Sequence, residues 1–123
     1  MRAVYAALAV GITMAASGAA QAQDAALGKA AFTGRCGLCH QVDSAKSGPM
    51  APSLKGVIGR KVASLTDFNY SDALKAKGGK WTPADLDTFL ASPMKAVPGT
   101  KMMMVVPNAA DRANLIAYLK TAK

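Results

Sequence analysis

Apolar residues recur at helical spacing in the segment from Asp24 to Cys36, where one helical stripe carries Leu27, Ala30, Ala31 and Phe32. The side chain of Asp24 can accept hydrogen bonds from the N–H groups at the start of a helix. The segment from about Asn108 to Thr121 has the same spacing. Its predicted inner face carries Leu115, Ile116, Tyr118 and Leu119. The pattern therefore predicts one helix in the segment from Asp24 to Cys36 and another from about Asn108 to Thr121.

Two shorter helices are predicted between these. The first runs from about Ser71 to Lys77, because Ser71 or Asn69 can cap its start and two glycines follow its end. The second begins at Thr82-Pro83, a capping residue followed by a proline that suits a first turn, and ends at Ser92-Pro93. Its buried face is predicted to carry Leu86, Phe89 and Leu90.

The remaining stretches, residues 41–59 and 94–107, are rich in glycine, serine or proline and are predicted to be loops. Val105-Val106 is β-branched, but the pair is too short and too close to Pro107 to carry a sheet. Long loops in a compact domain usually serve a function. The sequence has no internal repeat. The expected fold class is therefore all-α, with about four helices and two long loops.

Residues 1–22 have the three parts of a secretory signal peptide. Arg2 precedes an apolar run from Ala3 to about Ala16, and small residues lead to Ala20-Gln21-Ala22. Cleavage of these 22 residues from the 123-residue chain would leave residues 23–123 as a single exported domain of 101 residues, expected in the periplasm. The alternative is an uncleaved membrane anchor. The small residues fit cleavage better, so no stable membrane insertion is expected of the mature protein.

The chain is basic, with a formal net charge of +8 that falls to +7 when Arg2 leaves with the predicted signal peptide. Such a charge can attract nucleic acid, anionic lipid or an acidic protein. Lysines and arginines are spread from Lys29 to Lys123 with no run of five and without interleaved aromatic residues, which argues against nucleic acid. Most of them are expected to be solvated surface residues.

The residues that decide the chemistry are Cys36-Gly37-Leu38-Cys39-His40. Cysteines at this spacing lie on one face of a helical turn, so both sulfurs can form thioethers with one edge of a porphyrin, and the histidine can bind its iron. The alternatives are a thioredoxin-type motif, a disulfide or half of a zinc site. The chain has no third cysteine and no second histidine for zinc, and the flanking segments predict helix. The motif therefore predicts covalent haem c.

Further motifs occur in the same order as in one known family. The chain resembles the small class I c-type cytochromes, the branch that contains mitochondrial cytochrome c and its soluble bacterial relatives, over nearly all of residues 23–123. The motifs that carry the resemblance are Gly28-Lys29-x-x-Phe32, Cys36-x-x-Cys39-His40, Pro52-x-Leu54-x-Gly56, Gly59-Arg60-Lys61, Phe68-x-Tyr70-Ser71-Asp72-Ala73, Trp81, Leu90-x-x-Pro93, Pro98-Gly99-Thr100-Lys101-Met102 and Leu115-Ile116-x-Tyr118-Leu119-Lys120. The resemblance implies the cytochrome c fold around one covalently bound haem.

The resemblance also implies roles for single residues. Cys36 and Cys39 would bind the haem covalently, with His40 and Met102 as the two axial ligands of its iron. The carbonyl of Pro52 would accept the His40 ring N–H. The residues expected to hydrogen-bond around the haem propionates are Arg60, Tyr70, Trp81 and Thr100.

The residues alone leave the choice of methionine open, because the chain has seven. Met1 and Met14 lie in the predicted signal peptide, and the expected core fillers are Met50, Met94, Met103 and Met104. Three positions depart from the family pattern. These are Met104 in place of an aromatic residue, Phe89 in place of a tyrosine found in many relatives, and Ala51 in place of a common glycine.

A His/Met pair fills both axial positions of the iron and leaves outer-sphere electron transfer as the chemistry. The predicted function is therefore a monomeric, monohaem electron carrier between redox complexes, not an enzyme. The alternative is a c-type haem peroxidase or gas-sensing protein with an open distal site, and a third possibility is a tethered subunit of an oxidase or dehydrogenase. The lysines expected to guide acidic partners are Lys29, Lys46, Lys95 and Lys101, with Lys120 and Lys123 farther away.

Overall fold

The computed structural model describes residues 23–123, so the predicted signal peptide lies outside the described residues. The helices are α1 (Ala25–Arg35), α2 (Asp72–Lys77), α3 (Pro83–Ala91), α4 (Pro93–Ala96) and α5 (Ala109–Thr121). Within residues 23–123, strand-like pairing is limited to one isolated antiparallel bridge between Lys61 and Lys80. The prediction of an all-α fold is confirmed.

The four predicted helices begin where the capping residues indicate. The carboxylate of Asp24 accepts hydrogen bonds from the N–H groups of Ala26 and Leu27, at 2.8 and 3.2 Å. Of the two candidate caps for α2, Ser71 is used and Asn69 is not. The other observed caps are Thr82 for α3 and Asn108 for α5.

The short helix α4 lies in a region predicted to be loop. The chain is extended at Ser92, which ends α3, and Pro93 then begins a further turn that closes with a 2.8 Å hydrogen bond from the Val97 N–H to the Pro93 carbonyl. Proline favours the first position of a helix because its φ angle is already helical. A helix of four residues is too short to produce an apolar period, so the sequence pattern could not reveal it.

Helices α1 and α5, from the two ends of the domain, pack directly against each other. Gly28 on α1 faces Asn114 on α5 so closely that there is no space for a side chain. The rings of Phe32 and Tyr118 meet beside this point with their centroids 5.5 Å apart. The backbone N–H of Asp24 also donates to the side-chain oxygen of Asn114 at 2.9 Å. This helix pair holds the start of the Cys36–His40 turn against the core.

The core is formed by buried apolar residues from all parts of the domain. Its members are Phe32, Val57, Val62, Trp81, Leu86, Phe89, Leu90, Val97, Val106, Leu115, Ile116 and Leu119. Several of them also form one side of a large internal cavity. In the part of the chain that the structure describes, no helix is long and apolar enough to cross a membrane.

Candidate cofactor site

One cavity of about 380 Å³ brings together all of the residues predicted from the sequence to hold a cofactor. Its walls are mainly apolar, and its volume lies within the range of known ligand pockets. The predicted residues that line it are Cys36, Cys39, His40, Pro52, Arg60, Tyr70, Trp81, Thr100 and Met102. They come from positions spread over most of residues 23–123, so only the folded chain assembles them.

The two cysteines lie on one turn that continues from the end of α1. The N–H of Cys36 donates to the Phe32 carbonyl at 2.7 Å, and the N–H groups of Cys39 and His40 both donate to the Cys36 carbonyl, at 3.1 and 2.8 Å. The two cysteines form no disulfide. Burial raises the pKa of Cys36, which keeps that thiol protonated, whereas Cys39 is exposed. The turn therefore presents two sulfurs and one imidazole to the same cavity.

The imidazole of His40 has one ring nitrogen engaged by the protein. Its Nδ1 lies 2.8 Å from the carbonyl oxygen of Pro52. A carbonyl can only accept, so Nδ1 carries the hydrogen and Nε2 is the nitrogen with a lone pair. Burial lowers the pKa of His40, opposed by the Pro52 hydrogen bond and assisted by the charge of Arg60. The ring is therefore held neutral, the form that binds metal.

Met102 is half-buried and lines the same cavity, in the loop between α4 and α5. A hydrogen bond of 3.0 Å from the Thr100 N–H to the Val97 carbonyl forms a turn at the start of this loop. The ammonium of Lys101 donates to the Asn69 carbonyl at 2.8 Å. The loop that carries Met102 is thus tied to α4 on one side and to the segment before α2 on the other.

Arg60 is held by backbone carbonyls of the loop that carries Pro52. Its guanidinium donates to the carbonyls of Ser53 at 2.8 Å and Lys55 at 3.1 Å. Burial lowers the pKa of Arg60, but its ordinary value is high enough that the group stays charged. A half-buried cation therefore stands on the cavity wall.

Two aromatic residues with polar groups complete this wall. Tyr70 is buried, and burial raises the pKa of its hydroxyl against the opposing effects of the Leu65 N–H and Arg60, so the hydroxyl stays protonated and can donate. Trp81 packs against Phe89 with ring centroids 5.1 Å apart. Phe89, one of the three departures from the family pattern, therefore lies at a buried contact.

The expectation that four methionines fill the core is wrong. The exposed fractions of Met50, Met94, Met103 and Met104 are 72, 53, 70 and 46%. Met50, Met103 and Met104 also line the cavity, so they form an apolar rim where the cavity meets solvent. Helical or strand periodicity could not reveal this, because all three lie in irregular loops.

A residue with no sequence signal lies behind the cavity wall and holds Arg60 through its carbonyl. Ser53, directly after Pro52, is 1% exposed, and its hydroxyl donates to the Ser44 carbonyl at 2.5 Å and accepts from the Lys55 N–H at 3.2 Å. A serine in a loop rich in polar and small residues reads as a surface residue. Its burial depends on partners that only the folded loop supplies.

Residues 25–123 match the family model described as Cytochrome c. The chain belongs to the cytochrome c family. Cytochrome c-type cyt cy of Rhodobacter capsulatus is 50% identical over 99 residues, which are 80% of this chain and 49% of that protein. This chain thus matches about half of the length of that relative.

Other members of the cytochrome c family match over more of their length. Cytochrome c2 of Agrobacterium tumefaciens is 42% identical over 100 residues, which are 78% of this chain and 89% of that protein. Among solved structures, cytochrome cH from Methylobacterium extorquens has a TM-score of 0.73 at 44% identity and covers 80% of this chain and 98% of that one. The resemblance predicted from the motifs is confirmed, and these relatives are named as cytochromes, in agreement with the expectation that the protein is not an enzyme.

The residues present fit the covalent haem c that the family carries. The cavity wall supplies two thiols for thioether bonds, an imidazole with its Nε2 lone pair, a thioether sulfur and a charged guanidinium. Its remaining lining is mainly apolar, as a porphyrin requires. The zinc alternative has no such support, because residues 23–123 contain no group of three or more His, Cys, Asp or Glu residues that could hold a metal.

Proposed function

We propose that the protein is a monohaem electron carrier in which His40 and Met102 ligate the iron of a haem c attached through Cys36 and Cys39. The observation that carries this proposal is that one cavity is lined by both thiols, by the His40 imidazole and by the Met102 thioether. When bound, the haem supplies an iron that gains and loses one electron at a potential set by its ligands.

The His40 ring supports this ligation. The hydrogen bond from Nδ1–H to the Pro52 carbonyl fixes the tautomer and restricts rotation of the ring, so Nε2 is the ligating nitrogen. Partners of this kind raise the basicity of a metal-bound histidine. The hydrogen bonds of Thr100 and Lys101 restrict the loop that carries Met102.

Ligation by two protein side chains favours electron transfer over the alternatives. If His40 and Met102 both hold the iron, oxygen or peroxide would have no ready access to it, which disfavours a peroxidase or a gas sensor. Arg60, Tyr70, Trp81 and Thr100 are proposed to hold the propionates, since each lines the cavity and carries a polar hydrogen in a largely apolar wall. A guanidinium has more N–H donors than the two that Arg60 gives to backbone carbonyls.

Acidic redox proteins are the proposed partners, and they are proposed to dock on the rim formed by Met50, Met103 and Met104. An exposed apolar rim gives close contact, and the lysines expected to lie near it would raise the encounter rate. Lys101 lines the cavity itself, and Lys29, Lys46 and Lys95 are exposed. We further propose that residues 23–123 are one monomeric domain, exported to the periplasm after cleavage of residues 1–22.

The ligation is tested with carbon monoxide and the reduced protein. Met102→Ala should remove the thioether, lower the reduction potential and let carbon monoxide bind, which the optical spectrum detects. Met103→Ala is the matched control, because the neighbouring methionine is 70% exposed and should leave the spectrum unchanged. Tight binding of carbon monoxide by the unmutated protein would instead support the sensor or peroxidase.

Covalent attachment is tested separately by extraction. Haem bound through Cys36 and Cys39 should stay with the polypeptide when the protein is denatured in acidified organic solvent. Release of the haem into the solvent would end the proposal of a c-type cofactor, whatever the axial ligands are.

A further inference from the structure

The carbonyl of Pro52 that faces His40 belongs to a peptide unit whose C=O and N–H groups both make hydrogen bonds. The same planar unit includes the N–H of Ser53, which donates to the hydroxyl oxygen of Ser47 at 3.0 Å. That hydroxyl in turn donates to Oδ1 of Asp67 at 2.7 Å, and the Ser47 N–H donates to Oδ2 at 2.7 Å. His40 is therefore connected to an exposed carboxylate through three hydrogen bonds and one peptide group.

Every donor in this chain of bonds points away from His40 and toward Asp67. Nδ1–H donates to the Pro52 carbonyl, the N–H of Ser53 donates to Ser47, and the Ser47 hydroxyl donates to the carboxylate. Bonds arranged in one direction polarise one another. A negative charge at Asp67 makes the Ser47 oxygen a better acceptor, which makes the Pro52 carbonyl a better acceptor for the His40 ring.

The peptide unit at the centre of the chain cannot easily turn. Ser53 is buried at 1% exposure, and its carbonyl accepts from Arg60 at 2.8 Å. Its hydroxyl is bonded on both sides, to Ser44 and to Lys55. The N–H of Leu54 donates to the Gln41 carbonyl at 2.7 Å, directly beside the contact between His40 and Pro52.

The carboxylate of Asp67, at the end of this series of hydrogen bonds, is charged at neutral pH. The hydrogen bonds from the backbone N–H and hydroxyl of Ser47 lower the pKa of Asp67, with a further contribution from Lys46. Ser47 and Asp67 are 20 residues apart in sequence and come from two different loops. Neither is among the residues that the sequence motifs single out.

We propose that Ser47, Ser53 and Asp67 are positioning residues for the axial histidine, forming a hydrogen-bond relay that orients the His40 ring and increases its electron donation to the iron. This inference rests on the proposed ligation by His40. A more basic imidazole stabilises oxidised iron, so the intact relay lowers the reduction potential relative to a protein in which it is broken.

The first test removes the Ser47 hydroxyl while the charge of Asp67 stays in place. Ser47→Ala should raise the reduction potential, and Ser47→Thr, which keeps a hydroxyl, should restore it. In the NMR spectrum of the ¹⁵N-labelled reduced holoprotein, the Nδ1–H proton of His40 should move upfield. The exchange of this proton with solvent should also accelerate, because the Pro52 carbonyl becomes a weaker acceptor and the hydrogen bond to it opens more often.

The second test separates the relay from the simple effect of charge. Asp67→Asn should raise the potential in the unmutated background but have a smaller effect in the Ser47→Ala background, because the relay is already broken there. Asp43→Asn removes an exposed carboxylate outside the relay, so its effect should be equal in both backgrounds. Additive shifts for Ser47→Ala and Asp67→Asn would overturn the inference.

The exposed position of Asp67 keeps the test usable if Ser47→Ala folds poorly. In that case, an unchanged Nδ1–H signal and an unchanged potential in Asp67→Asn would overturn the relay. If covalent haem and the behaviour of Met102→Ala are as proposed while these signals do not move, this inference fails alone. If carbon monoxide binds the unmutated protein, the proposed function fails instead.

Discussion

The close approach of α1 and α5 makes Gly28→Ala the most informative single substitution for the fold. A Cβ atom at Gly28 would lie 1.9 Å from the carbonyl oxygen of Asn114, 2.6 Å from its carbonyl carbon and 2.9 Å from Cβ of Tyr118. Two of these atoms belong to the α5 backbone, so no side-chain rotation can relieve the contact. Reaching an acceptable separation of about 3.0 Å requires the helices to move apart by about 1 Å.

The size of the effect follows from opposing contributions. Overpacking a core costs about 1–3 kcal/mol, and a clash with backbone belongs at the upper end. Separation of the helices also weakens the hydrogen bond between Asp24 and Asn114 and the ring contact of Phe32 with Tyr118, together about 1–2 kcal/mol. Alanine returns about 1 kcal/mol through its higher helix propensity. The expected net loss is about 2–4 kcal/mol in the free energy of unfolding.

Thermal and denaturant unfolding of the haem-loaded protein measure this loss. For a domain of this size, the melting temperature should fall by about 10 °C or more. The matched control is Gly34→Ala on the same helix, where a Cβ meets nothing within 4 Å. That variant should be neutral or more stable by up to about 1 kcal/mol. Equal stability of Gly28→Ala and the unmutated protein would refute the steric reasoning.

Three further predictions concern the cofactor, the pH and the charged surface. Replacing both cysteines and His40 with alanine should yield a chain that is largely unfolded by circular dichroism, because the cavity walls would lose the porphyrin they pack against. Cooperative melting of that variant would show that the core folds without the haem. The pKa of Asp67 is lowered in the folded state, so its stabilising effect is complete above the unfolded pKa of about 3.9 and is lost as the pH falls through the folded value. The stability difference between the unmutated protein and Asp67→Asn should thus shrink in acid, and a constant difference in denaturant titrations would contradict this. Lys95→Glu should slow electron transfer to an acidic partner at low ionic strength but not at high salt. Lys120→Glu should leave the rate unchanged at either ionic strength. Stopped-flow rates that do not depend on salt would contradict electrostatic docking.

The elements that the sequence determined by itself are those that depend on near neighbours. Asp24, Ser71, Thr82 and Asn108 cap helices because each side chain reaches N–H groups two or three residues ahead. The Cys36–His40 turn likewise brings two thiols and an imidazole together through hydrogen bonds within five residues. Spacing along one chain segment carries such information without knowledge of the rest of the fold.

The surroundings of the candidate site were decided only by the tertiary structure. Met103 and Met104 lie at the cavity rim and not in the core, because an irregular loop has no period that marks an inner face. Gly28 is required by a backbone on another helix. Ser47 and Asp67 meet across two loops that have no regular pairing to predict their register. Local pattern thus identifies the two thiols and the imidazole that can bind a haem, while contacts between distant segments decide how those groups are held.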